Sequence, residues 1–280
     1  MSEDRCGFSR DRIARGADWA VLGPGLSGLR RCVDNERGFR AQGALRIGQH
    51  PTSQQEKGFE EKAVHLLELT TKHELFLNLA KSEQILGRIR PLLGNDIHLK
   101  HSKIATKPPA KGVGAFKMHQ DFAFFPHTNT DLLAVMVMLD DAAPENGCRQ
   151  MVPGSHKWEL LNHIENGVFV GGCVEEGRWA DQSTLEEITP RASGISFHHC
   201  LCLHGSPDNR SGQPRRGLVY QYRADNAYQL ADTVFADTGL VVSGTRNGRV
   251  RCKFGQWQLP SRGPGGTYFG TAWNQIGDTV

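Results

Sequence analysis

The sequence has no CxxC pair, no apolar run long enough to cross a bilayer, and no sustained excess of either charge. Each absence excludes a class of function. Seven cysteines are an odd number and none is spaced as a zinc or redox motif, which points to reduced thiols in a cytoplasmic protein. Cys200 and Cys202 lie in an apolar run that reads as buried strand. The longest strongly apolar stretch, Leu132–Leu139, is far short of the roughly 20 residues a membrane helix needs, and charge begins at Glu3 with no signal core behind it. A net charge of +3 gives no basis for nucleic-acid binding. That excess lies in residues 1–50, where nine arginines meet six acidic residues; the rest balances at 24 basic (33 − 9) against 24 acidic (30 − 6). Residues 1–50 therefore read as a solvated N-terminal arm and 51–280 as a single domain. Gly23-Pro24-Gly25-Leu26-Ser27-Gly28 is a literal GxGxxG, but no acid falls near Gly43 and no series of βα units follows, so a dinucleotide site is the least favoured reading.

What is present is a change of period. Trp19–Leu22 fits one short strand. From Phe59 to Leu93, apolar residues including Val64, Leu67, Phe76, Leu79, Ile85, Leu86, Ile89 and Leu93 recur at helical spacing, which predicts two helices, the second ending between Pro91 and Asn95. Beyond Gly94 the pattern is of strands: 97–106, 116–122, 132–139, 149–152, 194–197, 200–204 and 217–223. Helices followed by many short strands predict a mainly β domain, a sandwich or barrel with helices packed on one side. The stretch 157–191 reads as a long irregular loop, a candidate lid over a site.

His119-Gln120-Asp121 falls in one of these strands, where alternate side chains share a face, so His119 and Asp121 are placed to meet one ion. His204 ends another strand and supplies a third ligand. Two histidines and one carboxylate leave positions open on a metal, the arrangement used by non-haem iron(II) oxygenases; zinc favours a closed tetrahedral site or a single open position. His127, His156, His163, His198 and His199 read as hydrogen-bonded core or surface residues. Arg215, eleven residues after His204, shares a strand face with Gly217, Val219 and Gln221, small neighbours that would leave room for a ligand. A planar guanidinium there suits the far carboxylate of a dicarboxylate, whereas Arg216 points the other way and reads as a surface arginine. His101, Lys103, Ala105 and Lys107 share a polar face. Phe122, Phe124, Phe125, Trp158 and Trp179 are available to wall an apolar substrate.

Lys107-Pro108-Pro109, His119-Gln120-Asp121, Glu145-Asn146-Gly147-Cys148, Val152-Pro153-Gly154-Ser155-His156-Lys157 and Leu203-His204-Gly205-Ser206, followed by Arg215, resemble the phytanoyl-CoA dioxygenase family in order and spacing over residues 95–225. The resemblance implies a double-stranded β-helix, a jelly-roll or cupin-like barrel. It implies His119, Asp121 and His204 as ligands of Fe(II), Arg215 as the partner of the 2-oxoglutarate cosubstrate with Ser206 nearby, and Gln120, His101 and Lys103 as residues lining the cosubstrate site. The implied activity is a dioxygenase that uses dioxygen to hydroxylate an unactivated C–H of a small apolar or lipid-like molecule; desaturation or ring formation by the same centre, a cupin-like metal-binding protein, and a zinc hydrolase with Glu145 as base are the alternatives. No phosphate-cradling motif for coenzyme A accompanies these residues, so the family's name does not name the substrate.

Overall fold

The computed structural model describes residues 19–21, 64–109, 114–175, 177, 179, 181–233 and 235–260. The GxGxxG segment and Phe59 lie outside them. The chain runs β1 (Trp19–Val21), β2 (Val64–Leu67), α1 (Leu69–Lys72), α2 (Glu74–Ala80), α3 (Glu83–Leu93), β3 (Ile97–Lys107), β4 (Phe116–His119), β5 (Leu132–Met138), β6 (Arg149–Met151), β7 (Ile164–Glu165), β8 (Val168–Phe169), β9 (Glu186–Ile188), β10 (Gly194–His199), β11 (His204–Ser206), β12 (Arg215–Ala224) and β13 (Leu240–Ser243). The major sheet has the order β1-β10-β5-β12-β3-β13, with β2 also pairing β3; the minor sheet is β4-β11-β6-β9. Every strand pairing is antiparallel. This is the mainly β architecture with helices on one side that the pattern of the sequence predicts, and it agrees with the jelly-roll that the resemblance implies.

Alternation along the major sheet separates two environments. Leu218, Tyr220 and Tyr222 of β12, Leu133, Val135 and Val137 of β5, and Ile195 and Phe197 of β10 face outward and pack with Phe76, Ala80, Ile85, Leu86 and Ile89 of the helices. Each such fully buried side chain contributes about 1.5–3 kcal/mol. The tyrosines also donate hydrogen bonds, Tyr220 to the Phe76 carbonyl at 3.1 Å and Tyr222 to the Ala80 carbonyl at 2.9 Å. The Tyr222 bond satisfies one of the last four carbonyls of α2, which the helix itself leaves open. The odd-numbered residues of β12 face the minor sheet instead.

A bulge keeps β3 in phase with this division. Gln221 pairs with His101 and Tyr222 with Leu99, so Lys100 is an extra residue in the ladder. Ile97 and Leu99 consequently share the outer core with Ile104 although their parity differs. Beyond the bulge, His101, Lys103, Ala105 and Lys107 lie on the inner face with Arg215, Gly217, Val219 and Gln221, as strand parity predicts.

Several local expectations need correction. Val64 and Leu67, read as helical, belong to a strand paired with β3, and three helices follow, not two. The strand expected over 116–122 stops at His119, and Asp121–Ala123 is a 3-10 turn. The run 200–203 is a buried turn, the strand beginning at His204. The stretch 157–191 carries the β7–β8 hairpin and the edge strand β9, which pairs with β6, so it is not a continuous irregular loop. The short strand expected at Trp19–Leu22 is present as Trp19–Val21, which extends the major sheet beside β10.

Candidate metal centre

His119 ends β4 and His204 begins the neighbouring β11; the two are direct cross-strand partners, with ring centroids 4.2 Å apart. Asp121 reaches the same point from the turn that follows β4. Strand parity is therefore not what unites His119 and Asp121; the chain turns between them. The ligand atoms of His119, Asp121 and His204 all lie within 4.8 Å of one another. Asp121 Oδ1 is 3.7 Å from His119 Nε2 and 3.8 Å from His204 Nε2, spacings that suit ligands converging on an ion.

Hydrogen bonds at the far side of each ligand determine which atom is offered. His119 Nδ1 lies 2.7 Å from the Lys117 carbonyl and His204 Nδ1 lies 2.9 Å from the Cys202 carbonyl. A carbonyl only accepts, so each ring carries its proton on Nδ1 and presents the Nε2 lone pair. Burial pushes the pKa of both rings down to about 3, which keeps them neutral and competent as ligands. Asp121 Oδ2 is occupied separately: Gln221 Nε2 donates to it at 2.6 Å and His198 Nε2 lies 3.0 Å away. The surrounding imidazoles hold the Asp121 carboxyl well below the usual carboxylate range against the opposing effect of burial.

His198 is the hydrogen-bonded core residue expected of it, but its partner is a candidate ligand. Its Nδ1 lies 2.8 Å from Arg149 Nη1. Because a guanidinium only donates, Nδ1 accepts and Nε2 must carry the proton given to Asp121. Gln221, His198 and Arg149 were not singled out from the sequence. The available signal was polar residues on the inner parity of strands whose outer parity is apolar.

The remaining expected residues are placed unevenly. Arg215 is 3% exposed, its Nε is buried without a hydrogen-bond partner, and no carboxylate lies at ion-pair distance from it among the described residues. Burial first and Arg149 second push its pKa down to about 10. Arg216 is no free surface residue; it forms a half-buried, two-pronged pair with Asp140 at 2.8 Å. The room expected over Gly217 is filled, since a Cβ there would stand 2.1 Å from Met136 Cε. Lys103 is buried with its ammonium 4.9 Å above the Phe235 ring, and burial pushes its pKa down to about 8. His101 is stacked on Phe235 and edge-on to Phe125, and Ser206 is buried two residues beyond His204. The Gln120 amide donates to the Glu159 and Leu201 carbonyls and accepts from Leu161 N–H, so both its donors are engaged by backbone. His163 completes that tie by accepting from Gln120 N–H. Of the expected aromatic wall, Phe124 packs edge-on to His119, while Phe122 and Phe125 belong to the surrounding core. Trp158 and Trp179 pack beside Val152, Leu161 and Leu203.

The family model for phytanoyl-CoA dioxygenase matches residues 32–217, more than half of the chain. The chain belongs to the phytanoyl-CoA dioxygenase family. A probable alpha-ketoglutarate-dependent hypophosphite dioxygenase from Stutzerimonas stutzeri is 38% identical over 159 residues, 55% of this chain and 54% of that protein. An ectoine dioxygenase from Streptomyces avermitilis is 30% identical over 169 residues, 54% of this chain and 56% of its own. The chain thus spans about half the length of the curated relatives it matches. Among solved structures, EctD from S. alaskensis with 2-oxoglutarate and 5-hydroxyectoine superposes with a TM-score of 0.67 at 18% identity, covering 90% of each chain, which is a likeness of fold. No described helix is long and apolar enough to cross a membrane.

Proposed function

We propose that this protein is an Fe(II)- and 2-oxoglutarate-dependent dioxygenase that hydroxylates a small-molecule substrate. One observation carries the reading: a buried His119–Asp121–His204 cluster with converging lone pairs shares the barrel interior with a buried arginine, Arg215, that has no acidic partner among the described residues. The donor set fits iron, two neutral imidazoles and one carboxylate oxygen leaving positions for further ligands. The orphaned Arg215 fits a carboxylate that arrives with the cosubstrate. A metal store without oxygenase activity has no use for such a residue. Glu145, the base a zinc hydrolase would need, is exposed on a surface turn while the cluster is buried.

In this reading His119, Asp121 and His204 hold the metal. Arg215 takes the far carboxylate of 2-oxoglutarate, with Lys103 as a second cation and Ser206 and His101 along the same cavity. Iron with 2-oxoglutarate and dioxygen supplies the oxidation of an unactivated C–H bond when bound. The chain's own part is to keep both histidines neutral, aim Asp121 Oδ1, and exclude water with the aromatic residues around Phe124. The described cysteines are all free, which supports a reducing, cytoplasmic setting. The names of the relatives place hypophosphite and ectoine within the range of small substrates to test. The decisive measurement is anaerobic titration with iron and 2-oxoglutarate, followed by succinate release on admitting oxygen. Wild type should develop a metal-to-cosubstrate absorption band, and His119→Ala should not. Equal iron uptake by both proteins would refute the ligand assignment.

A further inference from the structure

Arg149 is a cation that neither the metal nor the cosubstrate requires. It lies on β6, which places it in the minor sheet, two residues before Met151, the cross-strand partner of His204. Its side chain crosses the interior to the major sheet, where Nη1 meets His198 Nδ1 at 2.8 Å and Nη2 lies 2.6 Å from Met136 Sδ. A guanidinium carries five donors, and a thioether is a weak acceptor. Among the described residues Arg149 meets no carboxylate at ion-pair distance. The residue is half-buried, with its guanidinium set against the buried His198 and Met136.

Charge within the interior favours the same view. Burial lowers the pKa values of Lys103, Arg149 and Arg215, the Arg149 charge lowers those of Lys103 and Arg215 further, and Asp121 acts on Lys103 and Arg149 in the opposite direction. A divalent iron and a dianionic cosubstrate cancel, so three protein cations still face one carboxylate. Arg215 is the better placed for the cosubstrate, being buried with no side-chain hydrogen bond among the described residues. Arg149, one hydrogen bond from His198 and two from Asp121, stands nearer the reacting end.

We infer that Arg149, reaching across the barrel beside the His198–Asp121 pair with no acidic partner, is the receptor for a compact oxyanion on the substrate, which is therefore a small organic acid of the phosphonate or carboxylate class. This rests on the dioxygenase reading for the identity of the neighbouring ligands. It narrows the substrate from an apolar molecule to one whose anionic head sits at Arg149 and whose adjacent C–H bonds lie beside the metal cluster.

The test is calorimetric titration of the anaerobic iron(II)–2-oxoglutarate protein with methylphosphonate, propionate and the neutral ester dimethyl methylphosphonate. One of the two anions should bind and the ester should not; which anion binds separates the phosphonate from the carboxylate source. Arg149→Leu should weaken that binding by roughly 30-fold or more, while iron and 2-oxoglutarate affinities stay close to wild type. Arg149→Gln keeps a donor for His198 and removes the charge, so it should lose the anion as Arg149→Leu does; it also serves if the leucine variant does not fold. Arg149→Lys should recover part of the affinity. Binding of neither anion to wild type, or anion binding unchanged in Arg149→Gln, would overturn the inference. So would a loss of 2-oxoglutarate affinity as steep as the loss of anion affinity, since Arg149 would then serve the cosubstrate. Failure of wild type to take up 2-oxoglutarate would instead refute the dioxygenase reading, and the anion titrations repeated without it still decide the role of Arg149.

Discussion

The two oxygens of the Asp121 carboxylate do different work because different strands reach them. Oδ2 is held by Gln221 from β12 and His198 from β10, and Oδ1 is left toward His119 and His204. Removing the Gln221 donor should let the carboxylate rotate without removing a ligand. Gln221→Leu is expected to weaken iron binding about 10- to 100-fold, the usual effect of losing an outer partner of a ligand, and competition against a chelator reads it directly. Unchanged affinity would mean that His198 alone orients Asp121. Arg215 separates from the metal in the opposite way. Arg215→Ala should keep iron and weaken 2-oxoglutarate by roughly 30-fold or more, the cost of truncating one half of a buried charge pair. Arg215→Lys should restore only part, because an ammonium lacks the planar fork. Arg216→Ala is the control: it breaks the Asp140 pair and should leave the cosubstrate titration unchanged. If Arg216→Ala weakened binding and Arg215→Ala did not, the cosubstrate would lie on the other face of β12.

At the scale of elements, the motif Glu145-Asn146-Gly147-Cys148 has a geometric explanation. Gly147 has φ +71°, and a Cβ there would stand 2.3 Å from the Pro207 carbonyl oxygen and 2.9 Å from that of Asp208. The turn that launches β6 is pressed against the segment leaving β11, which keeps Arg149 and His204 in register. Gly147→Ala should therefore cost roughly 2 kcal/mol or more, and the melting temperature should fall by several degrees. A melting curve matching wild type would show that this contact yields easily. Long elements were legible in the sequence: β3, β5 and β12 were placed within two residues at each end, since each carries many alternating positions. The helix-to-strand error at Val64 and Leu67 arose because four apolar-rich residues fit either period. The turn at Asp121 was hidden by a continuous apolar run, Phe122 to Phe125, that reads as more strand. The backbone partners of Gln120, the carbonyls of Glu159 and Leu201, come from distant segments that no local pattern reveals.

For the whole molecule, buried neutral imidazoles set the response to acid. His127 is fully buried, gives its Nδ1 proton to the Phe125 carbonyl at 2.7 Å, and is held by burial at a pKa of about 3. In the unfolded chain the ring takes up a second proton, on its other nitrogen, near pH 6.5. The native state is therefore undiminished above that pH and loses stability as pH falls from about 6.5 toward 3. The loss from His127 alone is about 2 kcal/mol at pH 5 relative to pH 8. Denaturant titrations at both pH values should show a smaller acid loss for His127→Asn than for wild type; identical losses would mean that the ring is protonated in the folded protein.

The division of β12 by parity has a consequence for descent. Positions 218, 220 and 222 serve the helices, and positions 215, 219 and 221 face the site. Heritable change can therefore act on chemistry and on folding separately within one strand. Saturation mutagenesis scored once for soluble yield and once for turnover should produce two interleaved combs, offset by one residue. A lineage could exchange substrates through the odd positions while its scaffold, carried by the even ones, stayed as it was.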